Sequence, residues 1–260
     1  MDKKMKNNDL SKNRLITLIL GLVAWCNIGL CAMSEQEWQE KYQSCNGGYA
    51  IDCRLLIHNG NLPSVEECDF TSCAYVGNIH KNALGTTKAF EYFTKCFNLG
   101  NFECAIELGF LHFESNDFSK AKKYFDMACE KANYDFDKSM GCDFLGTMFL
   151  EGIGGVKDYN LARKYLEKSC NLKSGVSCIS LAVLYRNGTG VVRDYHKANE
   201  YAKKSCDLYN GLGCYLLGLH YFLGFGIRQD YKMGVEYFGK ACDLGYEEGC
   251  EMYAQYRNRW

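Results

Sequence analysis

At 260 residues the chain has room for one elongated repeat domain or for one to two globular domains. Its 47% hydrophobic and 23% charged content excludes wholesale disorder, and a net charge of −1 without a basic stripe excludes the usual electrostatic footprint of a nucleic-acid binder. One proline against 26 glycines predicts helices punctuated by glycine turns, and 16 cysteines imply either an oxidising compartment or metal and redox chemistry.

The N-terminus speaks to the compartment. Lys3, Lys4, Lys6, Lys12 and Arg14 precede the apolar run Leu15–Leu30, with Gly29 and Ala32 as small residues at its exit. This pattern predicts a secretory signal peptide over 1–32, cleaved after Cys31 or Ala32. A retained membrane anchor is the main rival, since the run nearly matches a bilayer in length. Lipidation at Cys31 is disfavoured by the bulky Leu30. A secreted or periplasmic protein is expected, with membrane contact only if this segment is retained.

The folded region is expected over 35–260. Trp38 to Cys68 reads as a degenerate first unit, Gly77 through Phe90, Tyr92 and Phe93 to Cys96 as a second, and Leu108 through Tyr124 and Phe125 to Cys129 as a third. A period then becomes plain. Cys142, Cys178, Cys214 and Cys250 recur every 36 residues, as do Cys170, Cys206 and Cys242. So do Gly146, Ala182 and Gly218; Gly152, Gly188 and Gly224; Asp158, Asp194 and Asp230; and Tyr165, Tyr201 and Tyr237. Within one unit, Cys142–Leu150 has helical apolar spacing, and Glu151–Gly155 breaks it with glycines suited to positive φ. Asp158 then caps a second helix that ends at Cys170. The fold class expected is therefore an all-α solenoid of helix-turn-helix hairpins, about six repeats plus a C-terminal capping helix.

These residues resemble the Sel1-like repeat, a relative of the tetratricopeptide repeat, through Leu181-Ala182-Val183-Leu184-Tyr185, Gly188-Thr189-Gly190-Val191, Asp194 and Lys197-Ala198. The cysteine pairs narrow the resemblance to the secreted cysteine-rich Hcp family, over roughly Cys45–Cys250. Cys68–Cys73 departs from that family's usual spacing. The resemblance implies a penicillin-binding protein with weak β-lactamase activity, or a factor that engages envelope or host partners.

Outside the signal segment fourteen cysteines fall into local pairs: Cys45–Cys53, Cys68–Cys73, Cys96–Cys104, Cys129–Cys142, Cys170–Cys178, Cys206–Cys214 and Cys242–Cys250. Five of the seven are C-x7-C, and each of these puts one cysteine at the end of a second helix and its mate at the start of the next first helix, within disulfide reach. A rival connectivity joins the two ends of one hairpin, such as Cys142 to Cys170, but strands Cys45 and Cys250. C-x7-C is the wrong spacing for a zinc knuckle, so neither metal nor cofactor is expected.

No catalytic residue can be named. Ser119-Lys120-Ala121-Lys122 spells S-x-x-K, but the companion β-lactamase motifs are missing; Ser119 reads as a helix cap and Lys122 as a solvated lysine. The five histidines form no motif. By analogy with tetratricopeptide packing, first helices line a concave groove: Asp143, Thr147 and Glu151, then Ile179, Val183, Arg186 and Asn187, then Tyr215, Leu219 and Phe222. The apolar members serve equally well as inter-helix core. The groove suits a β-lactam, a muropeptide-like ligand that a β-lactam mimics, or a segment of a partner protein.

Overall fold

The computed structural model describes residues 64–66, 68–69, 72–81 and 86–259. The signal segment, most of the first unit and the Cys45–Cys53 pair lie outside them. Eleven helices follow one another among the described residues: α1 (Ser72–Ile79), α2 (Thr86–Asn98), α3 (Cys104–Glu114), α4 (Phe118–Lys131), α5 (Asp135–Glu151), α6 (Tyr159–Asn171), α7 (Gly175–Asn187), α8 (Tyr195–Asp207), α9 (Gly211–Leu223), α10 (Tyr231–Asp243) and α11 (Glu247–Tyr256). Each packs on its sequence neighbours, giving five hairpins and a terminal helix, an α-solenoid in which a unit touches only the units beside it.

The turns follow from the repeated residues. Gly152, Gly188 and Gly224 end the first helices at φ 72°, 71° and 75°, a left-handed conformation that glycine enters without a Cβ penalty. One backbone bond then closes each turn: the amides of Asp158, Asp194 and Asp230 donate to the carbonyls of Phe149, Tyr185 and Tyr221. The same aspartates cap α6, α8 and α10 by accepting from amides one turn ahead, such as Leu161, Lys197 and Met233. The α3–α4 turn is shorter, and Asn116 takes its left-handed position at φ 59°.

Inside each hairpin a small residue faces a large one. A Cβ on Gly218 would lie 2.8 Å from the Phe238 ring, and one on Gly109 2.5 Å from the Phe125 ring. In the α7–α8 hairpin the equivalent positions hold Ala182 and Ala202, both fully buried. That pair is smaller in total, and the two helices still meet closely. Beside these contacts Phe149–Tyr165, Tyr185–Tyr201 and Tyr221–Tyr237 stack within 10° of parallel.

Three local readings need correction. The first helix of the α5–α6 hairpin begins at Asp135, two turns before Cys142. The segment Asp135–Met140 is polar enough to hide from an apolar period, yet Asp135 and Asp137 suit the positive end of a helix dipole. In α4 the cap is Asp117, which accepts from the Lys120 amide, and Ser119 lies inside the first turn. Lys122 is engaged as well: its Nζ sits 4.8 Å from the centre of the Phe149 ring and donates to the Gly154 carbonyl.

Disulfides join consecutive hairpins. Cys68–Cys73, Cys96–Cys104, Cys129–Cys142, Cys170–Cys178, Cys206–Cys214 and Cys242–Cys250 are bonded in the structure, with Cα separations from 4.4 to 6.2 Å. From Cys96 onward every bond runs from the end of a second helix to the first two turns of the following helix, or a little deeper in the lengthened α5. Such bonds belong with an extracytoplasmic, oxidising compartment.

Candidate functional site

The first helices of successive hairpins are drawn together. α3 touches α5, α7 touches α9 and α9 touches α11, whereas second helices of neighbouring hairpins meet less. First helices therefore form the inner side of the curve, and the ten residues expected in a groove can be located on them.

At the α5 end, Asp143 accepts the hydroxyl of Ser177 on α7. Burial pushes the Asp143 carboxyl up to about 6, against the opposing pull of that hydrogen bond. Although part of the residue touches solvent, its carboxylate is held by a fully buried serine and joins two helices. Thr147 is half-buried beside it, and Glu151 reaches Lys157 at 3.7 Å across the glycine turn.

The middle of the face is different. Ile179 is only 6% exposed and sits in the core with Ala182, Leu216 and Leu217, beyond the reach of a ligand. Val183 is 37% exposed and Asn187 is exposed at the helix end. Arg186 is half-buried, and among the described residues no carboxylate lies within ion-pair distance of it.

On α9, Tyr215 leans on Phe238 and Tyr246, with centroids 5.7 and 5.1 Å away, and Phe222 packs against Tyr231 and Tyr256. Those two are chiefly packing residues, while Leu219 is half-buried and Leu223 is 49% exposed. Burial raises the Tyr215 phenol; Glu248 and Glu251 on α11 raise it further and Arg186 lowers it. Charged groups on the two neighbouring first helices therefore act on this one tyrosine.

Three participants were not apparent from the sequence. Glu251 extends the column Asp143, Ile179, Tyr215 by one more period, and following that column into α11 finds it. Glu248 lies one turn earlier on the same helix. His220 is fully buried and bonds through Nδ1 to Asn199 Oδ1, while the Asn199 amide donates to the Phe225 carbonyl. Asn199 must therefore accept from His220, which fixes the proton on Nδ1 and leaves Nε2 without a partner. Burial, and then Arg186, hold this imidazole down to about 4.

None of this resembles a hydrolytic centre. Ser119 is exposed while its S-x-x-K lysine is committed to Phe149 and Gly154, and Ser177, the serine that meets a carboxylate, is sealed in the interior. Among the described residues no cluster of three metal-ligating side chains forms, and no helix is long and apolar enough to cross a membrane.

An inner face built by stacked, similar hairpins defines a repeat scaffold. The pattern of the Sel1 repeat matches residues 96–133, 139–174, 175–210 and 211–246, more than half of the chain, and the protein belongs to the Sel1 repeat family. Its fold is similar to that of c5321, a protective antigen of uropathogenic Escherichia coli displaying an SLR fold, at TM-score 0.67 and 21% identity over 84% of this chain and 50% of that one. It is also similar to a Sel1 repeat protein from Oxalobacter formigenes, at TM-score 0.60 and 18% identity over 84% of this chain and 93% of that one. Helicobacter pylori cysteine rich protein B (hcpB) is 33% identical over 52% of this chain and 94% of that one; at TM-score 0.43 the superposition carries no argument. In sequence, 82 residues, 32% of this chain, are 27% identical to the ERAD-associated E3 ubiquitin-protein ligase component HRD3 of Candida glabrata and span 9% of it. The chain thus spans about half of the first structural relative and a small part of the sequence relative.

Proposed function

We propose that this is a non-catalytic scaffold, working in the envelope or outside the cell, that holds a segment of a partner protein on its first-helix face. The observation that carries the reading is the contrast along that face. Asp143 and Ile179 are consumed by packing, whereas Val183, Arg186, Asn187 and Leu223 are left without partners suited to them. Repeat hairpins build such extended inner surfaces as a matter of course. A sequence relative named as a component of a ligase assembly agrees with a role in holding proteins together. Six disulfides brace the surface and leave those twelve cysteines unavailable as nucleophiles.

The penicillin-binding reading rests on the Hcp resemblance, and no residue of the face favours it over a scaffold. Nitrocefin incubated with the purified oxidised protein should turn over at the buffer rate. The oxidised protein, immobilised, should retain an envelope polypeptide that a Val183→Lys, Leu223→Lys variant of unchanged melting temperature releases. Nitrocefin turnover abolished by those face substitutions, with equal retention by the two proteins, would reverse the assignment.

A further inference from the structure

The inner face carries a charge pattern. Helices α7, α9 and α11 contain one lysine or arginine between them, Arg186, and their acidic residues are all on α11. One period before Arg186 stands Leu150 and one period after it Phe222, so the arginine occupies a position that is apolar in its sister repeats. It is half-buried, and among the described residues no carboxylate lies within ion-pair distance, so its guanidinium is free to take an acidic partner from outside. Glu248 and Glu251 are exposed two first helices away, beyond ion-pair distance. Beside Arg186 the face offers apolar Val183, Leu219 and Leu223, of which Val183 and Leu223 are solvent-exposed.

We propose that this face binds an extended polypeptide segment carrying an acidic side chain that pairs with Arg186 and a basic side chain that meets Glu248 and Glu251. This rests on the scaffold reading and specifies its partner. Two helix-to-helix steps of about 8–10 Å each span up to about 20 Å across the face. An extended chain advances about 3.3 Å per residue, so about six residues separate the acid from the base. Apolar side chains between them lie on Val183, Leu219 and Leu223. Arg186 supplies the directional contact, because a planar fork matches a carboxylate in two parallel hydrogen bonds.

The test is selection of a phage-displayed library of random twelve-residue peptides on the oxidised full-length protein. Retained sequences should share an Asp or Glu with a Lys or Arg about six positions away. Arg186→Leu, which installs the Leu150 side chain of the sister repeat, should weaken the best peptide at least about tenfold and erase the acidic preference. Glu248→Gln with Glu251→Gln should erase the basic preference and leave the acidic one. Peptides without the paired charges, an affinity within about twofold after Arg186→Leu at unchanged melting temperature, or no retained peptide would each overturn the proposal. Retention of an envelope polypeptide on the immobilised protein is read separately, so the scaffold reading can survive that failure.

Discussion

His220 on α9 donates through Nδ1 to Asn199 on α8, and the pair lies in the core where two hairpins meet. Leu184 and Met148 stand one and two periods before His220; Val235 stands one period after Asn199 and Arg163 one period before it, so no sister repeat carries this polar pair. Asn199→Ala should cost about 1–3 kcal/mol, because it strands the buried Nδ1 proton. His220→Leu combined with Asn199→Val should cost less than either single change, or stabilise. Chemical denaturation of the four proteins completes the cycle.

The same histidine and Asp143 respond to acid in opposite senses. His220 falls from 6.5 to about 4 on folding, so the unfolded chain binds the extra proton and stability drops as pH falls from about 6.5 to 4. Asp143 rises from 3.8 to about 6, so the folded chain binds the extra proton and stability increases as pH falls from about 6 to 4. Each shift is worth on the order of 3 kcal/mol, so the two largely offset. Asp143→Asn should therefore lose more stability than the parent on acidification, and His220→Leu less. Urea midpoints at pH 4 and 7 measure both.

Reduction should be severe. Four of the six disulfides join cysteines 8 positions apart, and closing a loop of that size contributes about 2–3 kcal/mol through chain entropy, while solenoid units are weak alone. Six bonds hold the described hairpins in sequence, so a reducing agent should lower the melting temperature by at least about 20 °C. A circular-dichroism melt that does not change on reduction contradicts the bracing role.

Gly218 and Phe238 make the packing rule testable. Gly218→Ala forces a Cβ against the ring and should cost about 1–3 kcal/mol. Adding Phe238→Ala recreates the Ala182–Ala202 pair of the neighbouring hairpin, so the double mutant should be more stable than the two single losses added together.

The 36-residue columns made the hairpins, their aspartate caps and their glycine turns legible, because each needs a particular residue at a fixed offset. Lys122 was not legible, since its partners Phe149 and Gly154 belong to another hairpin. Nor was the start of α5, where polar residues carry no apolar period. For the face, periodicity placed the ten candidate residues on first helices but did not say how deep each one sits. Ile179 and Val183 are one turn apart on α7, yet one is core and the other is exposed. The Ser177–Asp143 and Asn199–His220 bonds join residues 34 and 21 positions apart, at offsets that no repeat column predicts.

The central claim is that the first-helix face is the working surface. A photo-crosslinking side chain placed at Val183, in oxidised protein inside its own cells, measures this against the same group at Val192, which is 89% exposed on a glycine turn. The account predicts a discrete polypeptide adduct from position 183 that Arg186→Leu diminishes, and none from position 192. Adducts from 192 alone, or equal adducts from both positions that ignore Arg186, would contradict it.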